Sequence, residues 1–476
     1  MKLLKANRFR HQEVLTGDLA PITERRERRW LALIILCLGA LMIVLDTTIV
    51  NVALPSIREA LAFTETSLVW VVNAYMLTYG GFLLLGGRLG DYFGHRRLFL
   101  QGIALFTAAS LVCGLANSQW LLISARAVQG LGGAVVSAIA LSLIVDLFTE
   151  EGERAKAMGV YGFVCAAGGS IGVLAGGLLT SALDWHWVFL VNIPIGIAVY
   201  VLCRALIARS GGKAEGRLDV AGAATVTASS TLAVYGIVNG NLPLLAAAAV
   251  LLAIFLFIES RVAAPLMPLR FFRVRSLSVA NVVGALWAAS MFAWFFISAL
   301  YLQRDLGYTP MQIGLAFLPS NLIMAAFSLG LSAKIVMRFG NRLPLALGLG
   351  LAAMGLALFA AAPPGGGFLL HVLPCMILLG VGCGMALNPI LLVAMSEVAP
   401  SESGLASGVV NTAFMMGGAL GLAVLATLAE GYGFRAAFIV ATLFAAVAAI
   451  LSAALLRPET SKPRREAWAS PPSTGK

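Results

Sequence analysis

The chain has 476 residues, of which 60% are hydrophobic and 12% are charged, and its mean hydropathy is +0.91. A soluble domain carries about 25% charged residues. This chain has too few polar side chains to cover the surface of a folded protein of its length in water, which argues against a soluble enzyme. The net charge of +11 is compatible with nucleic acid or an anionic lipid surface, so its meaning depends on where the charges lie.

Long apolar segments follow one another after a basic tail at residues 1–29. Each segment is near the roughly 20 residues that a helix needs to cross a bilayer core. The first segment is too long for a cleaved signal peptide, so we expect it to stay as a membrane anchor. The pattern predicts an all-α integral membrane protein with fourteen transmembrane helices, at 30–54, 67–87, 98–116, 119–147, 157–182, 186–208, 218–238, 242–260, 277–302, 311–333, 343–361, 368–395, 404–429 and 432–456.

The positive charges support this number of helices. If the N-terminus is inside the cell, all but four of the 33 Lys and Arg residues lie on the cytoplasmic side. The four are Arg58, Arg304 and Arg435 in outer loops and Arg126 within a span. This asymmetry follows the positive-inside rule. It predicts a multi-pass protein of a bacterial-type inner or plasma membrane with both termini cytoplasmic, and it accounts for the net charge without a nucleic-acid partner.

The chain also contains an internal repeat. Residues 87–96 after the second helix are echoed by 333–342 at an offset of 246, and the glycine-rich stretch 168–172 is echoed by 417–421 at an offset of 249. Parallel repeats are typical of transporters in which two bundles rock about a central site. We expect five parts: a cytoplasmic tail at 1–29, a six-helix bundle at 30–208, two extra central helices with their loops at 209–276, a second six-helix bundle at 277–456 and a cytoplasmic tail at 457–476.

Two opposite charges are predicted to lie deep in the first bundle. Asp46 is roughly 13 Å and Arg126 roughly 10 Å below the outer surface, at 1.5 Å per helical residue. Arg126 shares a helix face with Gln129, Gly133 and Ser137, and such a stripe in lipid must face a cavity or a partner. We expect Asp46 to carry a proton and to interact with Arg126, directly or through water. A permanently neutral acid or a static ion pair is the alternative.

Other chemistry is not expected. The six cysteines lie in apolar stretches without CxxC spacing and the four histidines are scattered, so we predict neither a disulfide framework nor a metal site. Nucleotide-binding glycine loops and nucleophile motifs are also missing from the sequence. We therefore predict that the protein is not an enzyme and uses no cofactor.

Three further features are candidates for function. The short turn GRLGDYFGHRR contains the predicted gating residues, with a purely topogenic role for its arginines as the alternative: Gly87, Gly90, Asp91, Gly94, Arg96 and Arg97. Glycines at four-residue spacing predict close helix packing: Gly168, Gly172 and Gly176. The predicted substrate-binding set combines deep polar groups with aromatic residues: Asp46, Asn51, Tyr75, Gln129, Trp287, Trp294, Asn321, Asn388 and Asn411. The alternative for the two tryptophans is a lipid-facing or core position, and the alternative for the last three asparagines is an interhelical hydrogen bond.

With these motifs the chain resembles the fourteen-helix drug:proton antiporter family of the major facilitator superfamily, over roughly residues 30–456. The resemblance rests on LDTTIVNVALP at 45–55, GRLGDYFGHRR at 87–97, RAVQGLGGA at 126–134 and LDVAGA at 218–223. It implies the major facilitator fold and proton-driven export of hydrophobic, often cationic compounds. It also implies that Asp46 is the proton or substrate acid, that Arg126 is its coupling partner, and that Asp91 with Arg96 or Arg97 is the cytoplasmic gate.

Two residue choices depart from that family. Val173 stands where the fifth-helix motif usually has proline, which weakens the argument for antiport from that motif. Met415 and Met416 stand where relatives often place polar residues, which favours a lipophilic substrate that is neutral or singly charged. The expected partners are a small lipophilic substrate, protons and the lipid bilayer, and the expected unit is a monomer. The alternatives are a transporter of a specific lipid, siderophore or endogenous metabolite, a proton symporter that takes its substrate up, and a non-transporting membrane sensor.

Overall fold

The computed structural model of the chain describes residues 22–207, 219–262, 265–363, 365–399 and 402–456. Within these ranges the regular structure is helical throughout, which confirms the all-α class. Thirteen helices are long and apolar enough to cross a membrane, and the shorter apolar helix Pro310–Ala326 brings the number of candidate spans to the predicted fourteen. Most of the predicted N-terminal tail and the whole predicted C-terminal tail lie outside the described residues.

The helices are numbered in chain order. They are α1, Ile22–Leu61; α2, Glu65–Phe93; α3, His95–Gly114; α4, Gln119–Leu147; α5, Glu151–Ala182; α6, Trp187–Leu206; α7, Val220–Val238; α8, Leu242–Arg261; α9, Arg275–Arg304; α10, Pro310–Ala326; α11, Arg342–Ala361; α12, Leu373–Met395; α13, Ser403–Tyr432; and α14, Phe434–Leu455. A π-helical turn, Phe327–Leu331, joins α10 to a further helical segment, Ser332–Phe339, and another, Phe368–Val372, precedes α12.

The ends of the helices differ from the predicted spans mainly at α1. We expected the first span to stop before Pro55, but the helix continues through this proline to Leu61. Proline is tolerated inside a membrane helix because neighbouring helices re-satisfy the freed backbone groups. The seven residues after residue 54 carry α1 to the end of the bundle opposite the start of α1 and the end of α14, where its last turn holds Arg58.

The helices pack in a pattern that repeats with an offset of eight. In the first half α1 contacts α5, and α4 contacts both α2 and α3; in the second half α9 contacts α13, and α12 contacts both α10 and α11. Across the two halves, α2 packs on α13 and α10 packs on α5. Exchanging the halves converts one of these pairs into the other. This arrangement is typical of two parallel repeats related by an axis along the membrane normal.

Two turns show the same repeat at the level of the backbone. Gly94 follows α2 with φ of +88°, and Gly340 follows the helical segment after α10 with φ of +72°. Glycine enters this left-handed region without the steric cost that other residues meet. The echoed Phe-Gly pairs at 93–94 and 339–340 therefore form the same kind of turn at the same end of the bundle.

The two extra helices are central in the sequence but peripheral in space. α7 packs against α2 and α13, at the seam between the halves, and α8 packs mainly on α7. Only 17% of the most apolar stretch of α8 is buried within the protein. The pair therefore lies along one side of the seam and exposes α8 to lipid.

The glycine stripe of α5 lies where that helix contacts α1. A Cβ atom on Gly172 would lie 2.0 Å from Thr48 Oγ1, and one on Gly176 would lie 2.7 Å from the Ile49 carbonyl oxygen. A Cβ on Gly168 would lie 3.0 Å from the Leu41 side chain. Such small residues let two helix backbones approach closely in lipid, so the stripe brings α5 against the helix that carries Asp46.

Candidate functional site

Asp46 lies at the centre of a buried polar cluster within the first half. Its Oδ2 accepts a hydrogen bond from Arg126 Nη1 at 2.5 Å, and its Oδ1 accepts from Gln129 Nε2 at 2.7 Å. A third donor, Asn192 Nδ2, reaches Oδ1 at 3.1 Å. All four side chains are buried. The interaction between Asp46 and Arg126 is therefore direct, and three helices, α1, α4 and α6, supply the carboxylate and its donors.

Arg126 has its own set of partners. Its Nε donates to the Val71 carbonyl at 2.9 Å and its Nη1 also donates to Gln129 Oε1 at 2.7 Å. The guanidinium carbon lies 4.4 Å from the centre of the Tyr75 ring and 5.7 Å from that of Phe189. Cation–π contacts of this kind strengthen when the cation is removed from water. The cation is thus held by α2, α4 and α6 together.

A second layer of groups orients Gln129. Its Nε2 donates to Ser110 Oγ at 2.8 Å, while Cys113 Sγ donates to its Oε1 at 3.7 Å. Both partners lie on α3. Because Nε2 donates to both Ser110 and Asp46, and Oε1 accepts from both Arg126 and Cys113, the orientation of the amide is determined by four contacts. Gln129 therefore couples the carboxylate, the guanidinium and α3.

The sequence did not point to Asn192 or Ser110 as members of this cluster. Asn192 stands alone in an apolar run at 187–199, and a lone amide in a lipid-embedded helix needs a partner. That isolation is a signal that could have been used. Its partner could not have been named, because Asn192 and Asp46 are 146 residues apart.

The cluster is a neutral ion pair with nearly complete hydrogen bonding. Removing an ion from water costs several kcal/mol, which a partner offsets only when the geometry is good and further hydrogen bonds are present. Here both carboxylate oxygens and two guanidinium nitrogens have partners. A proton on Asp46 would cancel its charge and leave Arg126 as a buried cation without a counter-ion. Proton binding at this position therefore has a large effect on the stability of the arrangement.

A line of tyrosines leads away from the cluster along α2. The Tyr75 hydroxyl is buried and has no hydrogen-bond partner among the described residues. The ring stacks on Tyr79 with 5.7 Å between centroids, and Tyr79 hydrogen-bonds to the side chain of Ser137. A Cβ on Gly133 would lie 2.9 Å from Tyr75 Oη. The polar stripe that we predicted on α4 therefore faces these two tyrosines.

The predicted asparagines of the substrate set lie in both halves. The amide groups of Asn51, Asn321 and Asn411 each donate to the carbonyl four residues earlier in their own helix. For Asn321 and Asn411 the alternative to a binding role was an interhelical hydrogen bond, and their amide groups do not donate one. Asn388 on α12 is half-buried. The binding roles of the four amides stay predictions.

The predicted tryptophans of α9 are core residues of the second half. Trp287 packs edge-on against Phe414 of α13 with 5.2 Å between centroids, and Trp294 packs against Phe295 and Phe317. Both tryptophans are less than 2% exposed. In this conformation the two tryptophans therefore serve packing, which was the alternative to a role in substrate binding.

The two departures from the family pattern both lie at contacts between the halves. Met415 and Met416 of α13 pack on α2, where their side-chain atoms lie 2.8 Å and 3.3 Å from the Cβ positions of Gly80 and Gly81. Val173 is buried in an uninterrupted α5, and its carbonyl oxygen lies 3.0 Å from the Cβ position of Gly314 on α10. Without the proline, α5 remains one continuous helix.

The loop after α2 forms contacts mainly within the first half. His95 Nε2 lies 3.2 Å from Asp91 Oδ1 and His95 Nδ1 lies 2.8 Å from Asp146 Oδ2. The partner of Asp91 is thus a histidine, where we expected an arginine. Arg96 instead donates to the Arg204 carbonyl of α6 at 2.6 Å. A Cβ on Gly90 would lie 2.1 Å from Ile139 Cδ1, so this glycine permits the close approach of α2 to α4.

The two halves are joined by charged groups at the end of the bundle where α1 ends and α2 begins. Glu65 at the start of α2 is buried and pairs with Arg304 of α9, and Arg58 of α1 lies 4.0 Å from the same carboxylate. Glu430 of α13 accepts a hydrogen bond from the Thr66 N–H at 3.1 Å. A surface cavity of about 630 Å³ lies among these groups. Together these contacts link the two halves at this end.

Residues 36–422 and 282–474 match the Major Facilitator Superfamily. The chain is 40% identical to the puromycin resistance protein of Streptomyces alboniger, over 85% of this chain and 82% of the other. It is 38% identical to the cephamycin export protein of Amycolatopsis lactamdurans, over 83% and 84%, and 34% identical to a multidrug resistance protein of Mycobacterium tuberculosis, over 84% and 75%. The chain belongs to the Major Facilitator Superfamily.

Proposed function

We propose that this protein is a proton-coupled exporter that moves lipophilic compounds, antibiotics among them, out of a bacterial-type cell by alternating access. Membership of the Major Facilitator Superfamily supports transport, and relatives named for puromycin resistance, cephamycin export and multidrug resistance support antibiotics as substrates. The positive-inside asymmetry of the sequence supports cytoplasmic termini. With that orientation, the end at which Glu65 and Arg304 link the two halves is the outer end, which supports a conformation with the halves in contact on the outside.

The observation that carries the proposal is the buried Asp46 with its three donors. A proton carrier needs a carboxylate whose charge affects the rest of the protein. The pair with Arg126 meets this need, because protonation of Asp46 removes the counter-ion of a buried cation. A ligand or proton shifts a conformational equilibrium only by its difference in affinity for the two states. The loss of this ion pair supplies such a difference.

The transport cycle then follows from competition at one carboxylate. When the cytoplasmic side is open, Asp46 is ionised, and a lipophilic cation or a polarisable neutral compound enters and competes with Arg126 for this carboxylate. When the outer side is open, a proton binds Asp46, weakens substrate binding and is carried inward on the return. One charge moving through 100 mV releases about 2.3 kcal/mol. This equals a gradient of about fifty-fold at 1.4 kcal/mol per factor of ten, so one proton suffices for useful export.

A narrower exporter is the second candidate. Several relatives are named for a single antibiotic, such as puromycin, cephamycin and lincomycin, which favours a dedicated export protein over a broad multidrug pump. Both candidates use the same proton site. They differ in how many chemically unrelated compounds elicit transport.

The test uses everted membrane vesicles that are energised and loaded with a pH-sensitive dye. Lipophilic monocations, dications and neutral antibiotics, puromycin and lincomycin included, are added one at a time. We expect a substrate to release protons from the lumen of wild-type vesicles and to have no effect on vesicles with Asp46→Asn. A response to unrelated compounds indicates a multidrug exporter, whereas a response to one chemical class indicates the dedicated exporter.

A matched control separates loss of the site from loss of charge in general. Asp184 is an acid whose side chain is 52% exposed beside His186, so Asp184→Asn should leave the response unchanged. Each variant is first shown to be folded and inserted, by size-exclusion chromatography of the extracted protein. A substrate response that survives in Asp46→Asn would refute the assignment of Asp46 as the proton carrier. Proton movement in the opposite direction would identify a symporter.

A further inference from the structure

A second pair of acids lies far from the transport site, where α7 and α8 meet the chain that leads to α9. Asp219 directly precedes α7, and its Oδ1 accepts the Gly222 N–H at 2.7 Å. This contact caps the helix N-terminus. The residue is nevertheless only 5% exposed, which is more burial than a helix cap requires. One carboxylate oxygen of Asp219 therefore binds the backbone, and the other oxygen is enclosed by the protein.

Glu259 approaches from the last turn of α8. It is 3% exposed, and its Oε2 accepts the Met267 N–H at 3.1 Å. The residue before Met267 in this connection is Leu266. Leu266 itself packs in a small apolar cluster with Leu85 of α2 and Ala223 of α7. Glu259 thus fastens the connection between α8 and α9 to the accessory helices, and this connection in turn rests on α2.

The two free oxygens of these acids face each other. Asp219 Oδ2 and Glu259 Oε1 are buried, and neither has a hydrogen-bond donor among the described residues. They lie 2.6 Å and 3.0 Å from one point, the position that a Cβ would occupy on Gly222. Because both oxygens lie this close to one point, they are no more than 5.6 Å apart. Gly222 is the residue that makes room for this approach.

Among the described residues, three arginines on the segments next to the pair have other partners. Arg88 of α2 donates to the Pro265 carbonyl, Arg261 of α8 lies over the ring of Phe257, and Arg270 pairs with Glu402. Two adjacent carboxylates in a buried site cannot both be ionised cheaply. A single proton between them removes one charge and supplies the donor that both oxygens lack. Arg217 precedes Asp219 by two residues and lies outside the described residues, so it enters the test as a variant.

We propose that Asp219 and Glu259 form a proton-binding site separate from Asp46, in which two buried carboxyl groups share one proton. The bound proton holds α7, α8 and the following connection together against α2. Release of the proton places two like charges side by side and loosens this contact. The proposal concerns the accessory helix pair alone, so it does not depend on what the protein transports.

Infrared spectroscopy of the purified full chain tests the site directly, because a protonated carboxyl group absorbs apart from a carboxylate. The Asp46→Asn protein is the reference, since it lacks the carboxyl group of the transport site. At pH 7 we expect a protonated-carboxyl band that shifts in D2O. We expect this band to be lost when Asp219→Asn or Glu259→Gln is added. Gly222→Ala keeps both acids but pushes them apart, so the band should be lost there as well.

Three further samples make the result specific. Glu402→Gln removes a partly exposed, ion-paired acid at the same end of the bundle, and it should retain the band. Arg217→Gln should also retain it unchanged, whereas a band that appears only in Arg217→Gln would mean that an ion pair keeps the acids ionised. Loss of the band when NaCl replaces choline chloride would identify a metal cation as the ligand. Each of these last two results would overturn the proposal.

A second measurement covers the case in which the isosteric variants do not fold. The folded site keeps a proton that separated carboxyl groups release at neutral pH, so the stability of the Asp46→Asn protein should fall as the pH rises. The protonated-carboxyl band of the same protein should disappear over the same pH range. No band at pH 7 in this protein, or a band that persists in folded Asp219→Asn and Glu259→Gln, would refute the shared proton.

Discussion

The Asp46–Arg126 pair predicts that two charge-removing substitutions are less damaging together than their separate effects suggest. In Asp46→Asn the cation keeps its bonds to Gln129 and the Val71 carbonyl, and in Arg126→Gln the carboxylate keeps Gln129 and Asn192. Leaving one buried charge unpaired costs about 3–5 kcal/mol. Because each charge keeps two neutral partners, we expect about 3 kcal/mol for each single variant.

The double variant has no charge left in the cluster. Its two amides can hydrogen-bond to each other and to Gln129, so the loss should fall short of the sum of the single losses by about 2–3 kcal/mol. The free energy of unfolding is measured in mixed micelles with a rising fraction of denaturing detergent. Asp184→Asn is the control, and as a surface change it should stay within about 0.5 kcal/mol of wild type. Single effects that add within about 0.5 kcal/mol would refute the energetic coupling of the pair.

Of three other predictions, two use the same unfolding assay and the third uses amide hydrogen exchange. Gly176→Ala places a methyl group 2.7 Å from a fixed backbone oxygen and should lower the free energy of unfolding by about 1–3 kcal/mol. Gly169 has open space around it, so Gly169→Ala should leave the free energy of unfolding unchanged or raise it slightly. Equal effects of the two substitutions would contradict the close α1–α5 contact. Asn192→Leu removes one donor from a buried carboxylate and should lower stability by about 1–3 kcal/mol, and an unchanged midpoint would speak against this contact. Arg304→Gln removes the cation that pairs with Glu65 across the two halves. We expect faster amide hydrogen exchange at that end of α2 and α13, measured by mass spectrometry. Exchange as slow as in wild type would show that the ion pair does not hold the halves together there.

The spans of the bundle were predictable because lipid imposes strong constraints on a sequence. Backbone polar groups in the bilayer core have no water to bind, and a helix satisfies nearly all of them within one segment, so long apolar runs reveal helices of a known minimum length. The depth of Asp46 and Arg126 follows from the same rise per residue that determines the spans. What failed was local detail, such as the passage of α1 through Pro55, where the neighbouring helices rather than the sequence decide whether the helix continues.

The partners of polar groups could not be predicted in the same way. Asn321 and Asn411 lie in apolar helices like Asn192, yet they bond within their own helices whereas Asn192 reaches Asp46 on another. Nothing in one segment distinguishes these cases, because the choice depends on which helix lies opposite. The histidine partner of Asp91 is a similar case, since the structure offers His95 one turn later together with a second acid on α4.

By itself, then, the sequence determined the helical class, the number of spans, the repeat that relates the halves and the two deep charges, because periodicity and the cost of charge in lipid act along a single chain. Tertiary structure alone decided that Asp46 has three donors, that α7 and α8 lie beside the seam and that Asp219 and Glu259 meet over Gly222. Each of these depends on contacts between residues far apart in the chain, and packing of one helix against another, rather than the order of residues, selects them.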